Sequence, residues 1–259
     1  MLIAITRPVS PTLAHCELTH LAREPIDAAR ATAQHAAYEH LLSALGATVV
    51  RVPAAPELPD AVFVEDTAVV LPEIGLITRP GAPRRQIETP AVAALLAKFR
   101  SLCFLTPPAT LDGGDVVQLG RSLYVGRSTR TNEAGIEQLQ TIVAPLDYRV
   151  VPIEFTGCLH LKSAVTRIGD DLLLLNPAWV SSTNFESVET VPIDPREPYA
   201  ANALRIGGTV IHPAQFPRTR ERLVDRGLDV VSIDCSELAK AEGAVTCCSL
   251  LLDAPSAAT

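Results

Sequence analysis

Five times along the chain a polar loop runs into an apolar strand, a tight turn and a second apolar strand. The pattern occupies FVEDTAVV with GLITRP (63–80), LDGGDVVQLGRSLYVG (111–126), LHLKSAVTRIGDDLLLLNP (159–177) and AANALRIGGTVIHP (201–213). The fifth copy, AVTCCSLLLDA (244–254), lacks its second strand; the N-terminal LIAITRP (2–8) can supply it and close a ring. Units recurring at roughly 40–50 residues have the period of radial repeats, in which each unit buries its apolar face against its neighbours. Sequence identity between the copies is poor, so an open α/β sheet built from the same hairpins is the competing architecture.

Helical signals fall between the hairpins. Asp27 can cap a helix over 27–45, with Tyr38, Leu41, Leu42 and Leu45 on one face and Gly46 as its stop. A strand over 48–52 follows. Thr89-Pro90 opens a second helix to about Arg100, with proline at the first helical position. Thr131 opens a third, with Ile136, Leu139 and Val143 on one face, and Pro217–Arg226 forms a fourth ended by Gly227. The segment 177–190 carries no clear signal. The expected class is therefore α/β, one domain over residues 1–259 with its last few residues disordered.

Composition narrows the function classes. Of 259 residues, 47 % are hydrophobic and 20 % charged, and the net charge is −7, which gives an ample core and no basic stripe for a nucleic acid. No apolar run approaches the roughly 18 residues needed to span a membrane, and Arg7-Pro8 interrupts the N-terminal stretch before a signal core forms. The expected location is the cytoplasm. None of the six cysteines makes a C-x-x-C pair, so a structural zinc site is not expected. No phosphate-cradling glycine motif occurs either, and neither a cofactor nor a metal is expected.

If the five loops are equivalent, they converge at one end of the ring. They then gather Asp60, Glu65, Asp66, Asp112, Asp115, His160, Lys162, Asn202 and Cys247 from distant parts of the chain. Cys247-Cys248 lies at the mouth of an apolar strand. A buried core thiol is the ordinary fate of a cysteine, and adjacent strand residues face opposite sides, so either thiol of the pair can be the one turned to the loops. His160 sits at a strand entrance among apolar neighbours, as a core histidine would, while His15, His20, His35 and His40 read as helical or exposed. A loop cysteine beside a loop histidine is, however, the pairing that activates a nucleophile and then delivers a proton to the leaving group. Asp112-Gly113-Gly114-Asp115 reads first as a tight turn; its glycines would also admit close approach while an aspartate orients the histidine. Phe63-Val64-Glu65-Asp66 places acids directly after an apolar strand, and planar carboxylates suit a guanidinium. Arg85 and Arg130 have the look of surface residues, but the carboxylate of a free amino acid needs such a partner.

At these residues the sequence resembles the dimethylarginine dimethylaminohydrolase family of the guanidine-modifying (pentein) superfamily. The motifs are LPDAVFVEDTAVV (58–70), ITRPGAPRR (77–85), ATLDGGDV (109–116), VGRSTRTN (125–132), LHLKS (159–163) and TCCSLL (246–251), in family order across about 12–253. The resemblance implies a five-bladed α/β propeller of ββαβ-type repeats. It implies Cys247 as nucleophile, His160 as general acid/base and Asp112 as the carboxylate paired with it. Asp60, Glu65 and Asp66 match guanidinium-side contacts, and Arg85 and Arg130 match residues that hold the substrate's α-carboxylate. Leu18 matches a residue on an N-terminal lid. The backbone at Ala241 matches a contact to the amino end, although a larger aliphatic is usual there.

The implied chemistry is hydrolysis of a methylated free arginine, asymmetric dimethylarginine or monomethylarginine, to citrulline through a covalent thiouronium on Cys247. No metal is required, although zinc bridging His160 and Cys247 would inhibit. The expected partner is that small molecule, with no nucleic acid and no membrane; a homodimer would be unsurprising. An arginine deiminase would use the same residues but carries an extra helical domain for which this length leaves no room. An agmatine deiminase would not need two carboxylate-binding arginines. A non-catalytic pentein, such as a ribosome-binding translation factor, gives no reason for Cys247, His160 and Asp112 to coincide. A cysteine peptidase needs a groove and an oxyanion hole that the sequence does not locate.

Overall fold

Apolar segments of three to five residues are too short to bury themselves alone, and here each joins a three-stranded sheet. A computed structural model of the chain describes residues 1–185 and 188–254; the expected disorder of the last few residues falls outside that range. β1 (Leu2–Thr6) leads to helix α1 (Ala28–Ala44) and then to β2 (Thr48–Arg51), which lies parallel to β1. β3 (Ala68–Val70), β4 (Ile74–Ile77), α2 (Thr89–Leu96) and β5 (Ser101–Phe104) form the second module. β6 (Val116–Leu119), β7 (Ser122–Gly126), α3 (Glu133–Val143) and β8 (Arg149–Ile153) form the third. A one-turn helix α4 (Leu161–Ala164) precedes the fourth: β9 (Val165–Arg167), β10 (Leu172–Leu175) and β11 (Glu189–Pro192). β12 (Leu204–Ile206), β13 (Thr209–Pro213), α5 (Pro217–Asp225) and β14 (Asp229–Ile233) form the fifth, followed by α6 (Ser236–Ala239) and β15 (Leu250–Asp253).

Every sheet has the same plan. Its middle strand pairs antiparallel with one neighbour and parallel with the other. The first sheet is completed from the far end of the chain: β15 runs antiparallel to β1, with Ile5 opposite Leu250 and Ile3 opposite Leu252. The N-terminal segment thus supplies the strand that the fifth copy of the repeat lacks. A middle strand covered on both faces reads as a mainly apolar run, as in β10, where Leu173, Leu174 and Leu175 are all buried.

The core is divided into five clusters, and each lies between consecutive modules. Ile3, Ile5 and Leu250 of the first sheet pack with Ala68, Ile77 and Leu96 of the second. Val69 and Leu76 pack with Val116 and Leu139, Val117 and Tyr124 with Val165 and Leu173, and Ile168 and Leu174 with Val210 and Leu223. The fifth cluster joins Ile211 and Ile233 to Ala4, Tyr38 and Leu42, so the succession returns to its start.

Local signals explain most element ends. The Asp27 carboxylate accepts from Arg30 N at the start of α1, and Gly46 ends that helix with φ +92°. α3 begins two residues later than Thr131, because Asn132 caps it by accepting from Gly135 N while the Thr131 hydroxyl turns inward to Asp115. α2 stops at Leu96, short of Arg100, and a turn at 97–100 brings the chain to β5. In the unassigned 177–190 segment, the described residues carry a 3-10 turn, Ser182–Asn184, where the other modules have a helix, and then the start of β11. Val64–Thr67 is a 3-10 turn, so Glu65 and Asp66 precede a strand instead of following one. His35 is helical, as expected, and is buried on α1 beside Tyr38. No helix among the described residues is long and apolar enough to cross a membrane.

Candidate active site

The turn before the first strand of each module is where polar side chains collect. Glu65 and Asp66 lie on the turn before β3, and Asp112 begins the turn before β6. His160 caps the turn before β9, Asn202 precedes β12, and Cys247 lies in the turn before β15. Equivalent turns of a repeat meet at one end of it, so residues 48 to 181 positions apart become neighbours there.

His160 stands between carboxylates. Its Nε2 lies 3.0 Å from Asp112 Oδ2 and its Nδ1 lies 3.7 Å from Asp66 Oδ1. Burial alone would favour the neutral ring, but the carboxylates of Asp66, Asp112 and Asp115 outweigh it and push its pKa up to about 9. Asp112 is itself held, its other oxygen accepting from Gly81 N at 2.8 Å. The two glycines after it are required by proximity: a Cβ on Gly113 would fall 2.0 Å from Glu65 O, and one on Gly114 2.8 Å from His160 Nδ1. Only glycine lets the turn approach both the acidic turn and the imidazole.

Cys247 and Cys248 lie in a turn instead of a strand, so alternation along a strand does not sort them. The cavity does. It is lined by Asp60, Phe63, Asp66, Arg85, Arg130, Leu159, His160 and Cys247, with Glu17 and residues 241–243 on the remaining wall. Cys248 is not among the lining residues, and its thiol is directed to Ala244 O at 3.5 Å. Burial, with the carboxylates of Glu65 and Asp66, pushes the Cys247 thiol well up, so the resting group is protonated.

Seven of the ten expected site residues line this one cavity: Asp60, Asp66, Arg85, Arg130, His160, Ala241 and Cys247. Asp112 touches it through His160. Glu65 is not on its wall. The Glu65 carboxylate accepts from Lys162 Nζ at 2.6 Å and Thr246 Oγ1 at 2.7 Å, and it lines a separate polar cavity with Lys162 and Thr246. Leu18 packs against the cluster between the fifth and first modules and does not line the cavity. Arg85 is placed there but fully engaged. Its guanidinium donates to Glu88 at 2.9–3.3 Å, to Asp66, and to the carbonyls of Asp60 and Phe63 at 3.3 and 3.0 Å. Those anions more than offset burial and raise its pKa still further. Arg130, by contrast, makes one side-chain hydrogen bond among the described residues, to Thr19 Oγ1 at 3.2 Å.

The cavity is narrow, with a volume of about 10 Å³, room for one water molecule. The segment that follows Glu17 is held by Glu242, whose carboxylate accepts from the backbone amides of Thr19, His20 and Leu21. Glu242 has φ +58°, an uncommon conformation for a non-glycine residue. Asp66, Asp112 and His160 each offer one ligand atom within 4.8 Å of the others. Arg85, Gly114, Gly81 and the imidazole already occupy their oxygens, so the cluster is satisfied without an ion.

Sequence reasoning missed Glu17, Leu159, Glu242 and Gly243 as wall residues and Glu88 as the partner of Arg85. Glu88 had a signal, its i, i+3 spacing to Arg85. Phe63 lay within a quoted motif without a role; a Cβ on Gly243 would fall 2.1 Å from its ring, so the two form one wall.

No family model matches the chain. Among curated proteins it is 40 % identical over 251 residues to the N(G),N(G)-dimethylarginine dimethylaminohydrolase of Streptomyces coelicolor, covering 96 % of both chains. The chain belongs to the N(G),N(G)-dimethylarginine dimethylaminohydrolase family. It is 33 % identical to the Pseudomonas aeruginosa member, over 86 % of this chain and 89 % of that one. A solved structure of the Pseudomonas aeruginosa enzyme, a cysteine-to-serine mutant complexed with citrulline, superposes with a TM-score of 0.92 at 31 % identity and covers 96 % of this chain and 98 % of its own. The N-terminal domain of the cyanobacterial arginine dihydrolase ArgZ shares the fold at 20 % identity, with a TM-score of 0.82 over 97 % of this chain and 98 % of its own. In this family member, then, the cavity of Cys247 and His160 is the candidate active site.

Proposed function

We propose that this chain is a single catalytic domain, a five-bladed α/β propeller, that hydrolyses Nω-methylated free arginine to citrulline and methylamine or dimethylamine. The observation that carries the reading is the convergence, in one cavity, of a thiol, an imidazole paired with a carboxylate, buried acids for a guanidinium and an arginine with donors to spare. A free amino acid needs all of these and a polymer needs few of them. The citrulline complex of the Pseudomonas aeruginosa relative supports the product.

The chemistry follows from the resting state. Cys247 is a thiol and His160 an imidazolium before substrate arrives. A guanidinium placed against Asp66 brings a positive charge beside Cys247 and favours its thiolate, the thiol proton passing to solvent. The sulfur attacks the central guanidinium carbon. Nε2 of His160 is paired with Asp112, so Nδ1 is the nitrogen available to protonate the departing amine. A cationic S-linked thiouronium remains. The now neutral His160 takes a proton from water, the hydroxide adds to the same carbon, and the thiolate leaves with citrulline. Asp112 keeps the ring oriented and stabilises its charged form in both steps. Arg130 receives the α-carboxylate, the backbone near Ala241 receives the amino end, and Asp60 lies with Asp66 on the guanidinium side. A cavity of this volume admits no arginine, so the 17–24 segment, which begins at its wall with Glu17, moves aside for each turnover.

The test is citrulline release from asymmetric dimethylarginine, monomethylarginine, arginine and agmatine. Turnover of the methylated arginines is the expected result. Preference for unmethylated arginine would make the protein a deiminase with the same nucleophile, and inactivity on all four would remove the catalytic reading.

A further inference from the structure

Asp115 is fully buried and does not line the cavity, yet its hydrogen bonds reach several parts of the site. A buried carboxylate persists only where donors satisfy it. Asp115 Oδ2 accepts from Ser128 Oγ and from Thr131 Oγ1, each at 2.6 Å, and Oδ1 accepts from Leu161 N at 3.0 Å. Both hydroxyl protons are thereby fixed, which turns the hydroxyl lone pairs toward backbone amides. Ser128 Oγ accepts from Arg130 N at 3.0 Å and Thr131 N at 3.1 Å. Thr131 Oγ1 accepts from Asp112 N at 3.2 Å.

The recipients of this network are not scattered. They are the amides of Arg130 and Thr131, the amide of Asp112 and the amide that follows His160. We propose that Asp115 is a positioning residue for the methylarginine hydrolysis, setting the distance between the carboxylate-binding Arg130 and the His160–Asp112 pair through Ser128, Thr131 and Leu161. The inference rests on the functional reading above. It assigns the two aspartates of Asp112-Gly113-Gly114-Asp115 different tasks: the first faces the imidazole, and the second ties the third module to the fourth behind it. The geometry also shows why a carboxylate is required. An asparagine can accept with one atom only, so it keeps either the two hydroxyls or Leu161 N, and its amide turns a donor toward the other. The charge contributes as well, because Asp115 is among the carboxylates that raise the pKa of His160.

The experiment compares wild type with Asp115→Asn, Ser128→Ala and Thr131→Val. It measures kcat and KM for asymmetric dimethylarginine, the pH profile of kcat/KM and the melting temperature. Ser128→Ala frees the Arg130 loop and is expected to raise KM about tenfold with kcat within about twofold. Thr131→Val frees Asp112 N and is expected to lower kcat about tenfold. Asp115→Asn is expected to do both, and to move the alkaline limb of kcat/KM to lower pH. A purely structural role would lower the melting temperature and leave KM, kcat per folded enzyme and the pH profile unchanged; that result overturns the proposal. Should Asp115→Asn not fold, the KM-against-kcat split between Ser128→Ala and Thr131→Val decides alone, and its absence overturns the proposal. Wild type inactive on every guanidine would overturn the functional reading itself, an outcome distinct from active wild type with indifferent variants.

Discussion

Arg85 and Arg130 match the same task by resemblance, and the structure gives them opposite surroundings. Arg85 lies on the turn before α2, and Glu88, Asp66 and two carbonyls take up its guanidinium. Arg130 lies on the loop before α3 with a single hydroxyl partner among the described residues. A guanidinium filled by its own chain pins acids in place; one with spare donors can accept a ligand carboxylate. Asp66, held by Arg85 on one oxygen and by Gly114 N on the other, is thus part of a preassembled anionic wall. Under the proposed function, this difference would have Arg85 build the guanidinium end and Arg130 hold the carboxylate.

The largest effect separating the two is on stability. Arg85→Ala leaves Glu88 and Asp66 buried without their cation and is expected to cost about 3–5 kcal/mol of folding free energy, with activity lost. Chemical denaturation measures it, and Arg85→Lys is not expected to rescue because a point charge cannot replace the fork. Arg130→Ala is expected to raise KM for methylated arginine about tenfold to a hundredfold with little change in unfolding midpoint. It should also narrow the preference for arginine over agmatine, which lacks the carboxylate. Equal destabilisation by both variants would break the comparison.

A smaller effect concerns the third cation of the site. The imidazolium of His160 is held up to about 9, so kcat/KM is expected to fall as pH rises through that value. Asp112→Asn removes one carboxylate that raises this pKa and should shift the limb to lower pH. The sign for stability is the same: the contribution of His160 is fully present below its ordinary pKa of about 6.5 and is lost as pH rises through the folded value. The smallest expected effect is at the closing segment. Glu242→Gln weakens three hydrogen bonds to residues 19–21 and is expected to raise KM a few-fold, with faster proteolytic cleavage within 17–24. Unchanged cleavage would detach Glu242 from closure.

Five hairpins were legible because each apolar strand pair is bounded by its own turn residues, and because LIAITRP was the spare strand the last copy lacked. The 3-10 turns were not. Val64–Thr67 and Gly113–Asp115 take their shape from each other, since Gly113 packs on Glu65 O, and no local propensity encodes such a contact. Cys247, His160 and Asp112 could be read as residue types at strand entrances. Whether Cys247 or Cys248 faced the cavity could not, because both lie in a turn whose direction is set by Cys247 O accepting from Glu65 N. The motif and the resemblance place Glu65 with Asp66 beside the guanidinium, yet Lys162 and Thr246 hold it in the other cavity.

The most direct measurement is intact and peptide mass spectrometry of enzyme quenched during turnover of asymmetric dimethylarginine. The account predicts an adduct equal to the substrate less dimethylamine, on the peptide containing Cys247, present in Cys248→Ser and absent in Cys247→Ser. An adduct on Cys248, or citrulline release that survives Cys247→Ser, would contradict it.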